Sequence, residues 1–101
     1  MSSRSKGYKE AAAIRIGENL RRQRRGLLIS QEELALRADL HRTEIGMLEH
    51  GKRLARIDTV IKLACSLGVP IDDLVEGLNW VPGPESRPGK FAAPRRGGAC
   101  S

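Results

Sequence analysis

A chain of 101 residues has room for one domain, and with 40% hydrophobic residues but a single Phe, Tyr and Trp its core must be aliphatic, which favours packed helices over an aromatic-rich β-sandwich. Eighteen Lys and Arg against twelve Asp and Glu give a net charge of +6, the footprint of a nucleic-acid binder, although a basic surface drawn to ribosomes or acidic lipids would carry the same balance. The longest apolar run covers residues 11–14, far short of the roughly 18 a membrane span needs; no secretory signal pattern opens the chain, and two cysteines make no disulfide framework, so the protein reads as cytoplasmic and reduced.

Residues 1–10 are polar and broken by Gly7, and they read as a flexible basic arm. From Ala11 a helical pattern begins, with Ala13, Ile16 and Leu20 on one face and Arg15, Arg21, Arg22 and Arg25 on the others; Gly26 ends it. The S-x-x-E spacing of Ser30 and Glu33 predicts a reciprocal capping box opening a helix over Gln31–Ala38, with Leu34 and Ala35 turned inward. After a break at residues 39–41, a third helix fits residues 42–50, held by Ile45 and Leu48 and stopped by Gly51. A fourth fits Ile57–Leu67, where Val60, Ile61, Ala64 and Leu67 recur at helical spacing before Gly68. Pro70 can open a short fifth helix over residues 71–76, its N-terminal dipole complemented by Asp72 and Asp73.

Past Gly77 the composition changes. Residues 79–101 hold four of the five prolines and set Arg87, Lys90, Arg95 and Arg96 against Glu85. This is a basic, Pro/Gly-rich tail, flexible after Phe91. Trp80, Val81 and Phe91 are its apolar exceptions, and they point to a short extended segment docked on the helices. The expected architecture is therefore all-α: a compact five-helix domain over residues 11–78, between a flexible arm and an extended C-terminal tail.

Two short helices joined by a three-residue turn have helix-turn-helix geometry, in which the second helix enters the major groove. The stretch SQEELALRADLHRTEIGMLEHGKR, followed by IDTVIKLACSLGVPIDDL and preceded by IGENLRRQR, closely resembles the Cro/repressor-type helix-turn-helix family of bacterial and phage regulators. The resemblance covers about two-thirds of the chain and implies a lambda-repressor-like fold. Within it, Leu34, Ala35, Ile45 and Leu48 form the clamp between the two helices, and Ala35 is small because the helices cross closely there. The family commonly pairs the positions of Arg24 and Glu49; two unrelated solvated charges are the other reading. The resemblance implies base reading by Arg42, Thr43 and Met47, and phosphate contacts by Ser30, Gln31, Arg24, His50, Lys52 and Arg53. Arg42 can fork onto guanine O6 and N7, and Thr43 and Met47 can touch a thymine methyl. Glu44 can accept from cytosine N4, but stabilising its helix N-terminus is the simpler role. The sequence departs from the family at Asp39, where glycine is common; at His41, in place of a Ser or Thr cap; at Gly46, mid-helix; and at Ala55, where proline is usual.

Nothing in the sequence assembles a catalytic site. His41, His50, Cys65 and Cys100 show neither triad nor zinc spacing, and Cys65 fits a small residue on or near the core. With no P-loop and no dinucleotide fingerprint, the expectation is a non-enzyme without metal or cofactor. The main reading is a sequence-specific regulator of transcription, a repressor by resemblance, that binds double-stranded DNA at a palindromic operator as a homodimer. Leu74, Val75, Leu78, Trp80 and Val81 are the candidate dimer surface, unless Trp80 folds back on its own domain. Antitoxins and restriction–modification controllers look similar at this length. The competing class is a protein-interaction module, an antitoxin or a polymerase- or other partner-binding helix-turn-helix protein with weak DNA binding, for which Met47 and Gly46 on the recognition face speak. RNA binding through the basic tail is a third, disfavoured by the shortage of aromatics for base stacking.

Overall fold

The computed structural model describes residues 2–85 and 87–92. Its elements run in the order α1 (Ser2–Gly26), α2 (Gln31–Ala38), α3 (Arg42–Glu49), α4 (Ile57–Leu67), α5 (Ile71–Leu74), β1 (Asn79–Val81) and β2 (Lys90–Ala92). The five expected helices are present, and α2 and α4 have the expected bounds. The third is one residue shorter, because His50 is its C-cap. The fifth closes at Leu74, two residues early, with Val75 as C-cap. None of the described helices is long and apolar enough to cross a membrane.

One expectation about the ends is corrected. The arm expected over residues 1–10 is helical from Ser2 onward, as a continuation of α1. Adding residues to a helix already nucleated in the alanine-rich stretch needs no new nucleus, and Gly7 costs only about 1 kcal/mol against alanine. In the tail, the extended segment expected around Trp80, Val81 and Phe91 takes the form of a hairpin: β1 and β2 pair antiparallel, with Trp80 opposite Phe91. Their rings meet edge to face, 5.1 Å between centroids, the arrangement ring quadrupoles prefer. The hairpin rests against α1 through β2, as two strands alone would be marginal in water. Arg95, Arg96 and Cys100 lie outside the described residues.

Three helices end on the same device. Asp39, Gly51 and Gly68 all adopt left-handed backbone conformations. The next amide reaches back five residues in each case: Leu40 to the Ala35 carbonyl, Lys52 to Met47, Val69 to Ala64. These are Schellman closures, which satisfy helix-end carbonyls that would otherwise lack partners. Asp39 serves where glycine would be cheaper, since Asp is among the few residues that tolerate this region.

The core is aliphatic, as composition required. Leu20 from α1, Leu34 from α2, Ile45 and Leu48 from α3, Leu63 from α4 and Leu74 from α5 are essentially inaccessible to solvent, and burial of each such side chain contributes roughly 1.5–3 kcal/mol. Along α4 the inward residues are Val60, Leu63, Ala64 and Leu67, while Ile61, expected inside, is 44% exposed. Cys65, expected on or near the core, is exposed as well. Positions 60, 63, 64 and 67 make a complete 3.6-period stripe without them.

Candidate nucleic-acid interface

The site starts from a buried ion pair. Arg24 ends α1, Gln31 begins α2 and Glu49 ends α3. The Arg24 Nε donates to Glu49 Oε2 at 2.6 Å and its Nη2 to Oε1 at 3.1 Å, while Nη1 donates to the Ile29 carbonyl at 2.8 Å. Gln31 Nε2 adds a bond to Oε1 at 3.0 Å. The side chains of Arg24 and Glu49 are only 11% and 1% exposed. The pairing is implied by resemblance, against a reading of two unrelated solvated charges. A forked pair out of water is another matter: its charges are tolerable because each is matched and further hydrogen-bonded. The consequence is geometric, as one carboxylate joins three helices and fixes the angle at which α3 is presented.

Arg24 is thereby turned inward, with every guanidinium nitrogen engaged by the protein. Three of its five N–H donors are spent on these partners and its side chain is only 11% exposed, so what the geometry gives it is the support of α3. Gln31 likewise faces Glu49, half-buried, with its Oε1 on the side of Gly46. Ser30 does cap α2: its hydroxyl oxygen accepts from the Glu33 amide at 3.0 Å, which leaves the hydroxyl proton to donate elsewhere. The capping box is half as expected, since the Glu33 carboxylate takes Arg37 Nε at 2.9 Å instead of the Ser30 amide.

At the other end of the turn, His41 stands at the N-cap of α3 without a side-chain cap bond, and its carbonyl accepts from the Glu44 and Ile45 amides. Arg42 and Thr43 are exposed in the first turn of α3, and Met47, one turn on, is half-buried. Arg42 and Thr43 share a cleft with Glu32, Leu36, Leu40 and His41, so the head of α3 and the outer flank of α2 form one continuous surface. The Schellman closure at Gly51 then delivers Lys52 and Arg53, both exposed, directly after α3. His50, the C-cap of α3, lies within it and is exposed, with its ring Nδ1 2.7 Å from the Gly46 carbonyl. Of the candidate dimer residues, Leu74 is fully buried in its own core and cannot form a surface. Val75 and Leu78 are half-buried, and Trp80 and Val81 exposed.

Two residues that hold the site were not expected. A Cβ on Gly17 would stand 2.2 Å from the Leu48 carbonyl oxygen and 3.0 Å from that of Glu49, so α1 and α3 touch backbone to backbone where the ion pair ties them. Asn19 is buried and donates to the carbonyls of Leu74 and Glu76, at 3.0 and 2.9 Å, pinning the end of α5 to α1. A glycine inside a strong helical pattern is itself a sign of close packing; an asparagine in an apolar stripe gives a weaker one.

Comparison with known proteins bears on the same region. The model of the family described as Helix-turn-helix matches residues 20–74, just over half of the chain. The control protein C.BamHI of Bacillus amyloliquefaciens is 44% identical over 48 residues, a match that takes in 59% of that protein's length. Among solved structures, the restriction-modification controller protein C.AhdI from Aeromonas hydrophila superposes with a TM-score of 0.62 at 33% identity, covering 63% of this chain and 97% of that one. The P22 c2 repressor, solved in complex with a synthetic operator, superposes with a TM-score of 0.58 at 24% identity over 61% of this chain and 94% of its own, a likeness of fold.

Proposed function

This chain belongs to the helix-turn-helix family, and from that premise we propose that it is a sequence-specific DNA-binding regulator of transcription, a repressor acting as a homodimer on a palindromic operator. The observation that carries the reading is the exposed head of α3, Arg42 and Thr43, held on a helix whose far end is locked by the buried Arg24–Glu49–Gln31 cluster. Base discrimination needs side chains placed to within a fraction of an ångström, and rigid support of this kind supplies it. Arg42 reads a guanine through its forked donors and Thr43 a thymine methyl, with Met47 adding apolar contact. Ser30, Gln31, His50, Lys52 and Arg53 hold the backbone phosphates on either side, helped by the α2 N-terminus. The likeness to C.BamHI and C.AhdI supports control of restriction–modification genes as the setting.

A second reading, a partner-binding module with weak DNA affinity, has one observation in its favour: Leu36 stands 76% exposed beside Arg42 in the cleft between α2 and α3. Selection of bound duplexes from a random pool at near-physiological salt, with the mass of the complex measured, separates the two. An enriched palindrome carrying two chains is the expected result. Binding without an enriched motif, lost as salt rises, would overturn it in favour of the second reading. Arg42→Ala is expected to flatten preference at one base pair in each half-site by roughly 1–3 kcal/mol.

A further inference from the structure

A row of exposed apolar side chains lies outside the surface expected for self-association. Leu54, Ile57 and Ile61 are 40%, 70% and 44% exposed, and Cys65 is exposed one turn further on. Ile57, Ile61 and Cys65 succeed one another at four-residue intervals, so they lie along one face of α4, and Leu54 extends that face into the loop from α3. Side chains this large are exposed singly on most proteins; a contiguous row of them marks a contact surface.

We propose that this face of α4, with Leu54, is the surface on which a second copy of the chain docks, resting on the dimeric reading given above. Two observations select a copy of itself as the occupant. The first is charge. Arg56 and Asp58 flank Ile57, 83% and 61% exposed, and within one chain they approach only to 3.4 Å. A two-fold axis running along the row of Ile57, Ile61 and Cys65 sets each of these residues against its own copy and places Arg56 of one chain beside Asp58 of the other. A patch with an opposite-sign pair astride an apolar centre is complementary to itself. The second is position. Recognition helices in successive major grooves stand about 34–36 Å apart on one side of the duplex, so the interface must lie beside α3. Leu54 follows the last residue of α3 by five positions, directly beyond Lys52 and Arg53, whereas Leu74, at the centre of the alternative surface, is spent in the core.

Cys65 and Cys100 are the only cysteines, so in a Cys100→Ser background Cys65 reports on this face alone. Sedimentation velocity on the full chain, with cross-linking by a short bis-maleimide, is run on that protein, on Ile57→Glu/Ile61→Glu, and on Val81→Glu in the hairpin. The parent is expected to sediment as a dimer and cross-link through Cys65, and Val81→Glu to behave like it. Ile57→Glu/Ile61→Glu should keep its helical circular dichroism, since both sites face solvent, and associate roughly a hundredfold more weakly or worse. Dimers that survive the double variant, or that are lost with Val81→Glu instead, would overturn the α4 interface and leave the dimeric reading intact. A parent that stays monomeric while binding a single half-site would overturn both.

Discussion

Glu49 shows how much depends on a single side chain. Its two carboxylate oxygens accept three hydrogen bonds, from Arg24 and Gln31, in a place where water hardly reaches. Removing one partner of such a pair leaves the other charge buried and unmatched, which costs about 3–5 kcal/mol. Glu49→Ala is therefore expected to lose that much stability in urea denaturation. The double variant Arg24→Met/Glu49→Leu should be less damaged than the single one, because neither charge then remains to be desolvated. A Glu49→Ala protein as stable as its parent would mean that the pair is solvated after all. Asn19 is the neutral counterpart. With Asn19→Leu the Leu74 carbonyl loses its donor in the core, and a loss of about 1–3 kcal/mol is expected, accompanied by faster hydrogen exchange around Leu74. Neither residue's role was written in its own neighbourhood. Arg24 and Glu49 lie 25 positions apart, and Asn19 lies 55 from its first acceptor. Resemblance suggested the first pair but could not tell that it is buried; for the second, an asparagine in an apolar stripe hinted at a buried role without naming its acceptors.

At the scale of elements, the helices were legible because their apolar periods and stops agree. Ile45 and Leu48 mark one face of α3, and Gly51 and Gly68 close α3 and α4 with the left-handed geometry that glycine suits. What failed was legible only in three dimensions. Ile61 fits the α4 pattern as well as Val60 does, yet the stripe through Leu63 turns it outward. The hairpin depends on Trp80 and Phe91 meeting across a loop that proline and glycine make look structureless. Two glycines inside helices sharpen the point. Both forgo about 1 kcal/mol of helix propensity relative to alanine. A Cβ on Gly46 would meet only Gln31 Oε1, at 3.9 Å, so Gly46→Ala is expected to raise stability by about 0.5–1 kcal/mol. A Cβ on Gly17 would instead drive into the backbone of α3, and Gly17→Ala should destabilise despite its better propensity, by separating α1 from α3. Thermal unfolding of the two variants side by side checks the signs, and a Gly17→Ala protein with a raised Tm would refute the close approach.

On the scale of the whole molecule, charge and shape divide the work of binding. A net charge of +6 draws the chain to any duplex, and this component weakens as salt rises because each phosphate neutralised releases counterions. On the function proposed above, Lys52 and Arg53, exposed immediately after α3, are assigned to that component, and Arg42, exposed at its head, to the recognition of bases. The two contributions can be separated by measuring affinity for the selected operator and for a scrambled duplex across a range of salt. For a dimer, Lys52→Ala removes two phosphate contacts, and the slope of log K against log salt should become shallower by about 1.8, with both duplexes weakened to the same degree. Arg42→Ala should leave most of that slope in place and reduce the ratio between operator and scrambled duplex, by about 1–3 kcal/mol for each half-site. Were Lys52→Ala to change the ratio and Arg42→Ala the slope, the head of α3 would be a phosphate clamp and the turn behind it the reading element. The division follows from the buried Arg24–Glu49 pair, which spends an arginine on orientation and leaves non-specific attraction to residues beyond the helix.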